Sequence, residues 1–456
     1  MGKLFGTDGI RGIANKDLNC ELAIKTAVAC TSVLMRRDNK KVRVIIGQDT
    51  RASGDMLASA MAAGFCSAGA DVTLIGILPT PAVAYLVREM NADAGIMISA
   101  SHNPAAYNGI KIFSSNGYKL LDEIEEEIEL MIFNNVTPSP LVAPGHISTD
   151  ERAVEKYIEY IISCADTDIS GMRVSFDCAN GAASTTARRI FEGLGVCSYV
   201  FHAEPNGFNI NQNCGSTFLE EAAKQVGAGA CEIGFSFDGD TDRCLAVDPD
   251  GNQIDGDKIV GTLALYNKSI GTLAKDTVIV TIMSNIGFIE MLKLKGIDAR
   301  QVKVGDRYVL EEMVKGGFNL GGENSGHVIL HDKNTTGDGQ LTAVMILCAM
   351  KRLGLSANDI FNLFKPYPQI QLDVVANKEQ KDFLEQDEIF QHAVKRVTDQ
   401  FIGKGRVLVR ASGTEPKLRI MVEGKDRDAV ENLAHELVLL ANKRIAAADV
   451  FYDLEI

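Results

Sequence analysis

Ala94-Gly-Ile-Met-Ile-Ser-Ala-Ser-His-Asn-Pro104 reads as a buried strand running into a polar turn. Its apolar half has the length of a strand, and Pro104 disfavours helical geometry at Asn103, so Ser101 falls in the turn just past the strand's end. An open α/β sheet presents reactive groups at that point. The same residue types also make an ordinary turn, in which Ser101 would only cap the backbone.

The surrounding chain repeats this grammar. Val42-Arg-Val-Ile-Ile-Gly47 reads as a strand leading into Asp49-Thr-Arg-Ala-Ser-Gly54, with helices expected at about 21–36 and 54–68 and a further strand at 71–75. Met172-Arg-Val-Ser-Phe-Asp177 and Thr277-Val-Ile-Val-Thr-Ile282 start two similar units. Each unit later has an apolar strand that ends in a polar loop: 95–98 into Ser99–Pro104, 232–237 into Asp238–Arg243, and 317–320 into Gly321–His327. Such units, packed in an arc, would gather their loops around a shared cleft. The fold class is therefore α/β: three tandem similar α/β domains plus a smaller C-terminal α+β domain, arranged around a central cleft. Proline-rich or turn-like stretches place the domains at 1–150, 151–254, 255–368 and 369–456.

Bulk properties exclude several classes. A formal charge of -14 argues against a nucleic-acid or anionic-membrane surface, although a few arginines in a cleft can still make a local anion site. The ten cysteines are scattered, without a Cys-x-x-Cys pair, as suits reduced buried thiols. Neither a signal-peptide core nor an uninterrupted apolar run of membrane-spanning length is present, so a cytoplasmic protein is expected.

Asp238-Gly-Asp-Thr-Asp-Arg243 sets three carboxylates at alternate positions after an apolar strand, a spacing that lets Asp238, Asp240 and Asp242 converge on one small hard cation. It is not an EF-hand, because Arg243 stands where that loop needs glycine and Pro249 where it needs glutamate. A solvated Asp-rich turn is the plainer alternative. Gly321-Gly-Glu-Asn-Ser-Gly-His327 mixes donors and acceptors as sugar hydroxyls require, with Glu323, Ser325 and His327 as the candidates, though His327 also suits a structural hydrogen bond. In Arg410-Ala-Ser-Gly-Thr-Glu-Pro-Lys-Leu-Arg419, the backbone around Gly413, the hydroxyls of Ser412 and Thr414, and the forks of Arg410 and Arg419 make a phosphate cradle, or else a charged hairpin. Phe5-Gly-Thr-Asp-Gly-Ile-Arg-Gly12 offers Arg11 on a glycine-rich loop, which is either another anion contact or a surface turn.

Neither a nucleotide P-loop nor a dinucleotide fingerprint occurs. A phosphate site, a cation site and a serine without a nucleotide point to phosphoryl traffic between protein and substrate. Near Ser101, the groups available for charge or proton transfer are Arg11, His102 and Lys111, with Lys111 favoured for acid/base duty.

Ser99-Ala-Ser-His-Asn-Pro104, followed seven residues after its proline by Lys111, resembles the active-site loop of the α-D-phosphohexomutases, whose second serine carries a phosphoryl group. The acidic loop is similar to that family's metal loop, Gly322–His327 to its sugar loop and Arg410–Arg419 to its phosphate loop. Val304–Val309 matches a further family segment. The four loops come in order, so the resemblance covers essentially the whole chain. It implies phosphoserine at Ser101 and one Mg²⁺ per subunit, bound by Asp238, Asp240, Asp242 and the group on Ser101. It also implies a small phosphosugar substrate held by Arg243 and by the sugar and phosphate loops, and a homodimer.

Within the family, Phe5–Gly12, Asp177-Cys-Ala-Asn-Gly-Ala182 and the sugar loop most resemble the branch that interconverts glucosamine 6-phosphate and glucosamine 1-phosphate, supplying UDP-N-acetylglucosamine synthesis. The resemblance implies a bisphosphorylated sugar intermediate, with glucosamine 1,6-bisphosphate or glucose 1,6-bisphosphate as activator. Asn324 departs from the Gln expected there. The competing readings are a phosphoglucomutase or phosphomannomutase, a Mg²⁺-dependent sugar-phosphate phosphatase, and a non-catalytic sugar-phosphate sensor.

Overall fold

The computed structural model describes residues 4–6, 8–38, 41–139, 142–228, 230–411 and 416–452. The chain divides into two compact units, Met1–Ser284 with Leu292–Leu363, and Asn285–Met291 with Phe364–Ile456.

The first unit holds three α/β sheets. The N-terminal one has seven strands in the order Phe5–Gly6, Gly9–Ile13, Tyr107–Ser114, Ala94–Ile98, Arg43–Gln48, Asp71–Ile77, Ile147–Thr149. Arg43–Gln48 pairs in parallel with both Ala94–Ile98 and Asp71–Ile77, and the crossovers that parallel pairing demands are the helices Gly54–Ser67 and Thr80–Glu89. Leu57, Met61 and Phe65 recur a turn apart on the buried side of Gly54–Ser67 and meet Ala27 of the helix Cys20–Asp38 in one core. Every residue of Ala94–Ile98 is buried, so the run carries no polar alternation.

The second sheet runs Gln253–Ile254, Cys244–Val247, Ile233–Phe237, Arg173–Asp177, Cys197–Phe201, and the third Asp298–Val302, Thr277–Thr281, Leu320–Gly322, Val328–Leu330. Phe176 anchors the second, its ring stacked 3.8 Å from that of Phe191 and 5.9 Å from that of Phe235. One device recurs in all three sheets. A central strand enters a polar loop, and the chain returns antiparallel beside it: Ala94–Ile98 to Tyr107–Ser114, Ile233–Phe237 to Cys244–Val247, and Leu320–Gly322 to Val328–Leu330. Each candidate loop is thus a hairpin tip at the carboxyl end of a buried strand. The third of these strands starts later than the sequence suggests. Gly317, at φ 65°, closes the helix Asp306–Gly316, and the two glycines read as loop pair as strand instead.

The second unit is an antiparallel sheet with Lys417–Gly424 between Gln369–Val375 and Gly405–Ala411. Its helices Lys378–Gln386, Glu388–Gln400 and Arg427–Tyr452 enclose a core that includes Phe390, Val397, Ile420, Val422 and Leu437. Residues 285–291 belong to it: Asn285 Nδ2 donates to the Tyr367 carbonyl at 3.0 Å and Ile286 N to Glu423 Oε1 at 2.7 Å. Among the described residues no helix is long and apolar enough to cross a membrane.

Candidate active site

Ser101 is buried at the tip of the first hairpin, with φ 51°. A non-glycine residue in the left-handed region costs about 1–2 kcal/mol, so its surroundings must hold it there. They do so through the backbone. Ser101 N donates to Ser99 Oγ at 2.9 Å, and that hydroxyl donates to Asp49 Oδ2 at 2.6 Å. Asp49 pairs at 2.9 Å with Arg51, both side chains being fully buried. The Arg51 guanidinium donates to the carbonyls of Ser101 and Asn103, each at 2.8 Å, and to those of Pro104 and Tyr107. Asn211, from the second α/β stretch, donates to the Ser101 and Asn103 carbonyls at 2.9 and 3.0 Å.

So fixed, Ser101 Oγ donates to Asp238 Oδ2 at 2.6 Å and lies 3.2 Å from His102 Nδ1. Asp238 is the first residue of the second hairpin tip, and the two tips touch through main chain: a Cβ on Gly239 would sit 2.6 Å from the Ser101 carbonyl oxygen. Thr241 turns the loop at φ 66°, an outlier for a β-branched residue, and the three carboxylates converge, with one ligand oxygen from each within 4.8 Å of the others. All three are buried. Thr80 Oγ1 and Lys111 Nζ share Asp240 Oδ2 at 2.6 and 2.7 Å, while Oδ1 of Asp240 and Oδ1 of Asp242 are buried without a hydrogen-bond partner. Burial and the neighbouring Asp242 and Asp240 charges push the Asp238 carboxyl well above the usual carboxylate range. Three crowded carboxylates with orphaned oxygens have the chemistry of a divalent-cation site.

The chain matches the phosphoglucomutase/phosphomannomutase family in its four successive parts: alpha/beta/alpha domain I over residues 2–138, domain II over 155–251, domain III over 255–367 and the C-terminal domain over 372–440. Phosphoglucosamine mutase of Clostridium acetobutylicum is 46% identical over 97% of this chain and 100% of its own length, and that of Alkaliphilus oremlandii 46% identical over 98% and 100%. This chain belongs to the phosphoglucosamine mutase family. Among solved structures, a phosphoglucomutase/phosphomannomutase family protein from Burkholderia thailandensis superposes with a TM-score of 0.82 at 24% identity, covering 97% of this chain and 98% of that one. Aspergillus fumigatus N-acetylphosphoglucosamine mutase, solved with GlcNAc-6P and magnesium, gives 0.71 at 16% identity, covering 97% and 96%. At these identities the two structures speak for the fold.

In this member of the phosphoglucosamine mutase family, alternating charges lead away from the serine. Lys111, brought opposite Met97 by the strand register, lies 2.7 Å from Asp240, 3.1 Å from Asp8 and 3.4 Å from Asp242. Burial opposes its charge, but the three carboxylates outweigh that and hold the ammonium well above its ordinary pKa. Lys119 follows, 2.6 Å from Asp8 and 2.5 Å from Asp306. His327, of the third hairpin tip, has Nδ1 3.7 Å from Asp242 and Nε2 3.7 Å from Asp306, and Gly337 N donates to its Nε2 at 3.1 Å. His102 is the opposite case: burial, then Arg243 and Arg11, bring its imidazole down to about 4. Arg11 pairs with Asp8 and Arg243 with Asp242 at 3.9 Å, and the Nε atoms of both arginines are buried donors without a hydrogen-bond partner, as suits an anion site. A cavity of about 660 Å³, lined among others by Tyr118, Lys119, Asp306 and His327, adjoins this network.

The structure therefore brings together Ser101, His102, Lys111, Arg11, Asp238, Asp240, Asp242, Arg243 and His327. Glu323 stands in the same tip as His327 and accepts from Gly305 N at 3.0 Å, its carboxyl raised by burial, while Ser325 Oγ is buried without a partner. Arg410 and Arg419 lie directly opposite each other in the strand register of the second unit, whereas Ser412, Gly413 and Thr414 fall outside the described residues. Sequence reading missed Asp8, Thr80, Lys119, Asp306, Arg51 and Asn211. Asp8, Arg51 and Asp306 sit in loops it had quoted, where alternation of acid and base was a usable sign. Nothing local marks Asn211.

Proposed function

We propose that the chain interconverts glucosamine 6-phosphate and glucosamine 1-phosphate, with Ser101 as the phosphoryl carrier and a bisphosphorylated sugar as the intermediate. The observation that carries the reading is the Ser101 hydroxyl 2.6 Å from Asp238, in a buried acidic triad that no nucleotide motif accompanies. In the first half-reaction the bond from phosphorus to Ser101 Oγ breaks as one forms to the sugar's free hydroxyl oxygen. The hydroxyl proton leaves to a base, and the reverse sequence from the sugar's other phosphate restores phosphoserine.

The donor set suits one Mg²⁺ per subunit, on Asp238, Asp240, Asp242 and the group on Ser101. That ion would supply neutralisation of the charge on the phosphoryl in transit. The chain's own groups do the rest. His102, neutral near pH 7, accepts a proton from the hydroxyl; Lys111, held charged, donates one or screens the oxygens. Arg11 and Arg243 offer buried Nε donors to the transferring group. Glu323, Ser325 and His327 bind the sugar, and Arg410 and Arg419 are the second unit's candidates for binding phosphate. The same reading carries a cytoplasmic homodimer, activated by glucosamine 1,6-bisphosphate or glucose 1,6-bisphosphate. Ten free cysteines suit a reducing compartment.

The test is kcat/KM on glucosamine 6-phosphate, glucose 6-phosphate and mannose 6-phosphate, with release of inorganic phosphate followed in parallel and the intact mass of the purified protein measured. The proposal expects glucosamine 6-phosphate to lead, no stoichiometric phosphate release, and one added phosphate that Ser101→Ala lacks. A lead for either other sugar makes the chain a phosphoglucomutase or phosphomannomutase. Phosphate released once per turnover makes it a phosphatase.

A further inference from the structure

Besides the acidic triad, the described residues bring together one other group of metal-ligating side chains: Asp177, His202 and Cys214, with one ligand atom from each within 4.8 Å of the others. Topology puts them there. Asp177 ends the strand Arg173–Asp177 and is in register with Phe201 of the parallel strand Cys197–Phe201, so His202 emerges beside it. The loop carrying Cys214 is tied down to the same carboxylate, with Gly215 N donating to Asp177 Oδ2 and Ala179 N to Asp177 Oδ1, both at 2.9 Å. The Asp177 and Cys214 side chains are buried, and the imidazole is partly open to a polar cavity of about 710 Å³ that Asn180, Arg188 and Glu204 also line.

The decisive detail is His202 Nδ1. It is buried and lies 3.1 Å from Asp177 Oδ1, an ion-pair contact that raises the imidazole's pKa and leaves no other group on that nitrogen. Two ligands of one tetrahedral zinc, each about 2.0 Å from the ion, lie about 3.3 Å apart and point at the metal rather than at each other. The pair has that separation. Both oxygens of Asp177 are oriented by backbone N–H groups, as metal-bound carboxylates are.

We propose that Asp177, His202 and Cys214 bind a zinc-class divalent ion, with its fourth position open to the cavity. Binding forms one bond each to carboxylate oxygen, imidazole nitrogen and thiolate sulfur, and the thiol proton leaves to solvent. Sulfur and imidazole select against Mg²⁺, whereas the oxygen-only triad beside Ser101 selects for it, so the two sites take different metals. The ion clasps the loop whose Asn211 also grips the Ser101 and Asn103 carbonyls, which gives it leverage on the reaction centre without contact with the sugar.

The experiment is a Co²⁺ titration of the full-length protein, stripped with chelator and then held in excess Mg²⁺. The expected result is one equivalent with thiolate-to-cobalt charge-transfer absorption, displaced by Zn²⁺. The band should vanish in Cys214→Ser, and Co²⁺ affinity should fall about 100-fold in His202→Gln, which removes one of three ligands. No charge-transfer band in the wild type, a band that excess Mg²⁺ suppresses, or an unchanged band in folded Cys214→Ser would each overturn the assignment. Should Cys214→Ser fail to fold, unchanged Co²⁺ affinity in His202→Gln overturns it alone, because that side chain is partly exposed and its replacement leaves the core intact.

Discussion

The guanidinium of Arg51 donates to the main-chain carbonyl of Ser101 at 2.8 Å while its Nε holds Asp49, and Asp49 in turn accepts from Ser99, the residue that receives the Ser101 amide. The phosphoryl carrier of the proposed reaction is thus supported by a closed ring of hydrogen bonds around its own backbone.

Arg51→Lys should leave KM nearly unchanged and lower kcat by about 10–100-fold, because an ammonium cannot span four carbonyls and misplacement of the donor by a fraction of an ångström is felt in the reacting geometry. Arg51→Met leaves Asp49 buried and unpaired, a loss of about 3–5 kcal/mol. Steady-state kinetics and the thermal midpoint separate the two effects. Equal losses from both variants would mean that Arg51 only stabilises the fold.

Ser101→Ala should nearly abolish turnover while sugar-phosphate binding, followed calorimetrically, stays measurable. The hydroxyl is the nucleophile of the return step and touches the sugar only through phosphorus.

Metal and proton compete for Asp238. Its carboxyl is raised in the folded protein, so the metal-free protein draws stability from keeping it protonated at low pH, fully below the ordinary carboxylate range, and loses that contribution as pH rises through the raised value. A bound divalent ion removes this penalty. The rise in thermal midpoint on adding Mg²⁺ should therefore grow with pH, and Asp238→Asn should flatten the dependence. A stabilisation independent of pH would argue that Asp238 is already ionised without metal.

His102 works in the other sense. Burial and two arginines lower its imidazole to about 4, below the unfolded value of about 6.5, so its contribution to stability is present above about 6.5 and fades as pH falls toward 4. Titration of the ring by NMR should find it neutral near pH 6 when Ser101 carries no phosphate, and raised once the neighbouring phosphate is present. A ring that titrates near 6.5 in both forms would remove the basis for its role as base.

Glu323→Gln should lower kcat/KM for glucosamine 6-phosphate by about 10–100-fold, the size of a lost hydrogen bond to a charged group, with a smaller loss for glucose 6-phosphate. Equal losses on both sugars would place recognition of the amine elsewhere.

Most of the architecture was legible because buried strands are short and apolar and their ends are punctuated by polar turns. Ala94–Ile98, Ile233–Phe237 and their loops could be read from local pattern alone. The antiparallel returns could not, since pairing direction is decided by which strands meet, and Gly321 and Gly322 look like loop residues until Ile279 and Val280 pair beside them. At the site, the three aspartates were visible because they alternate within one short loop, and Ser101 because its polar turn follows directly on an apolar strand. Asp8, Lys119 and Asp306 form one network from three distant segments, so their pairing exists only in space, even though Asp8 and Asp306 each stand near an arginine in sequence. Asn211 speaks to position 101 through carbonyl oxygens, which every residue possesses, so no side chain there announces its partner.

The absence of a side chain at Gly239 has a reach beyond packing. With the carrier loop and the acidic loop in backbone contact, the two halves of the apparatus that gives and takes the phosphoryl group leave no room for a side chain between them. In the proposed cycle it is the sugar that turns: between its two transfers the doubly phosphorylated intermediate presents first one end and then the other to the same carrier.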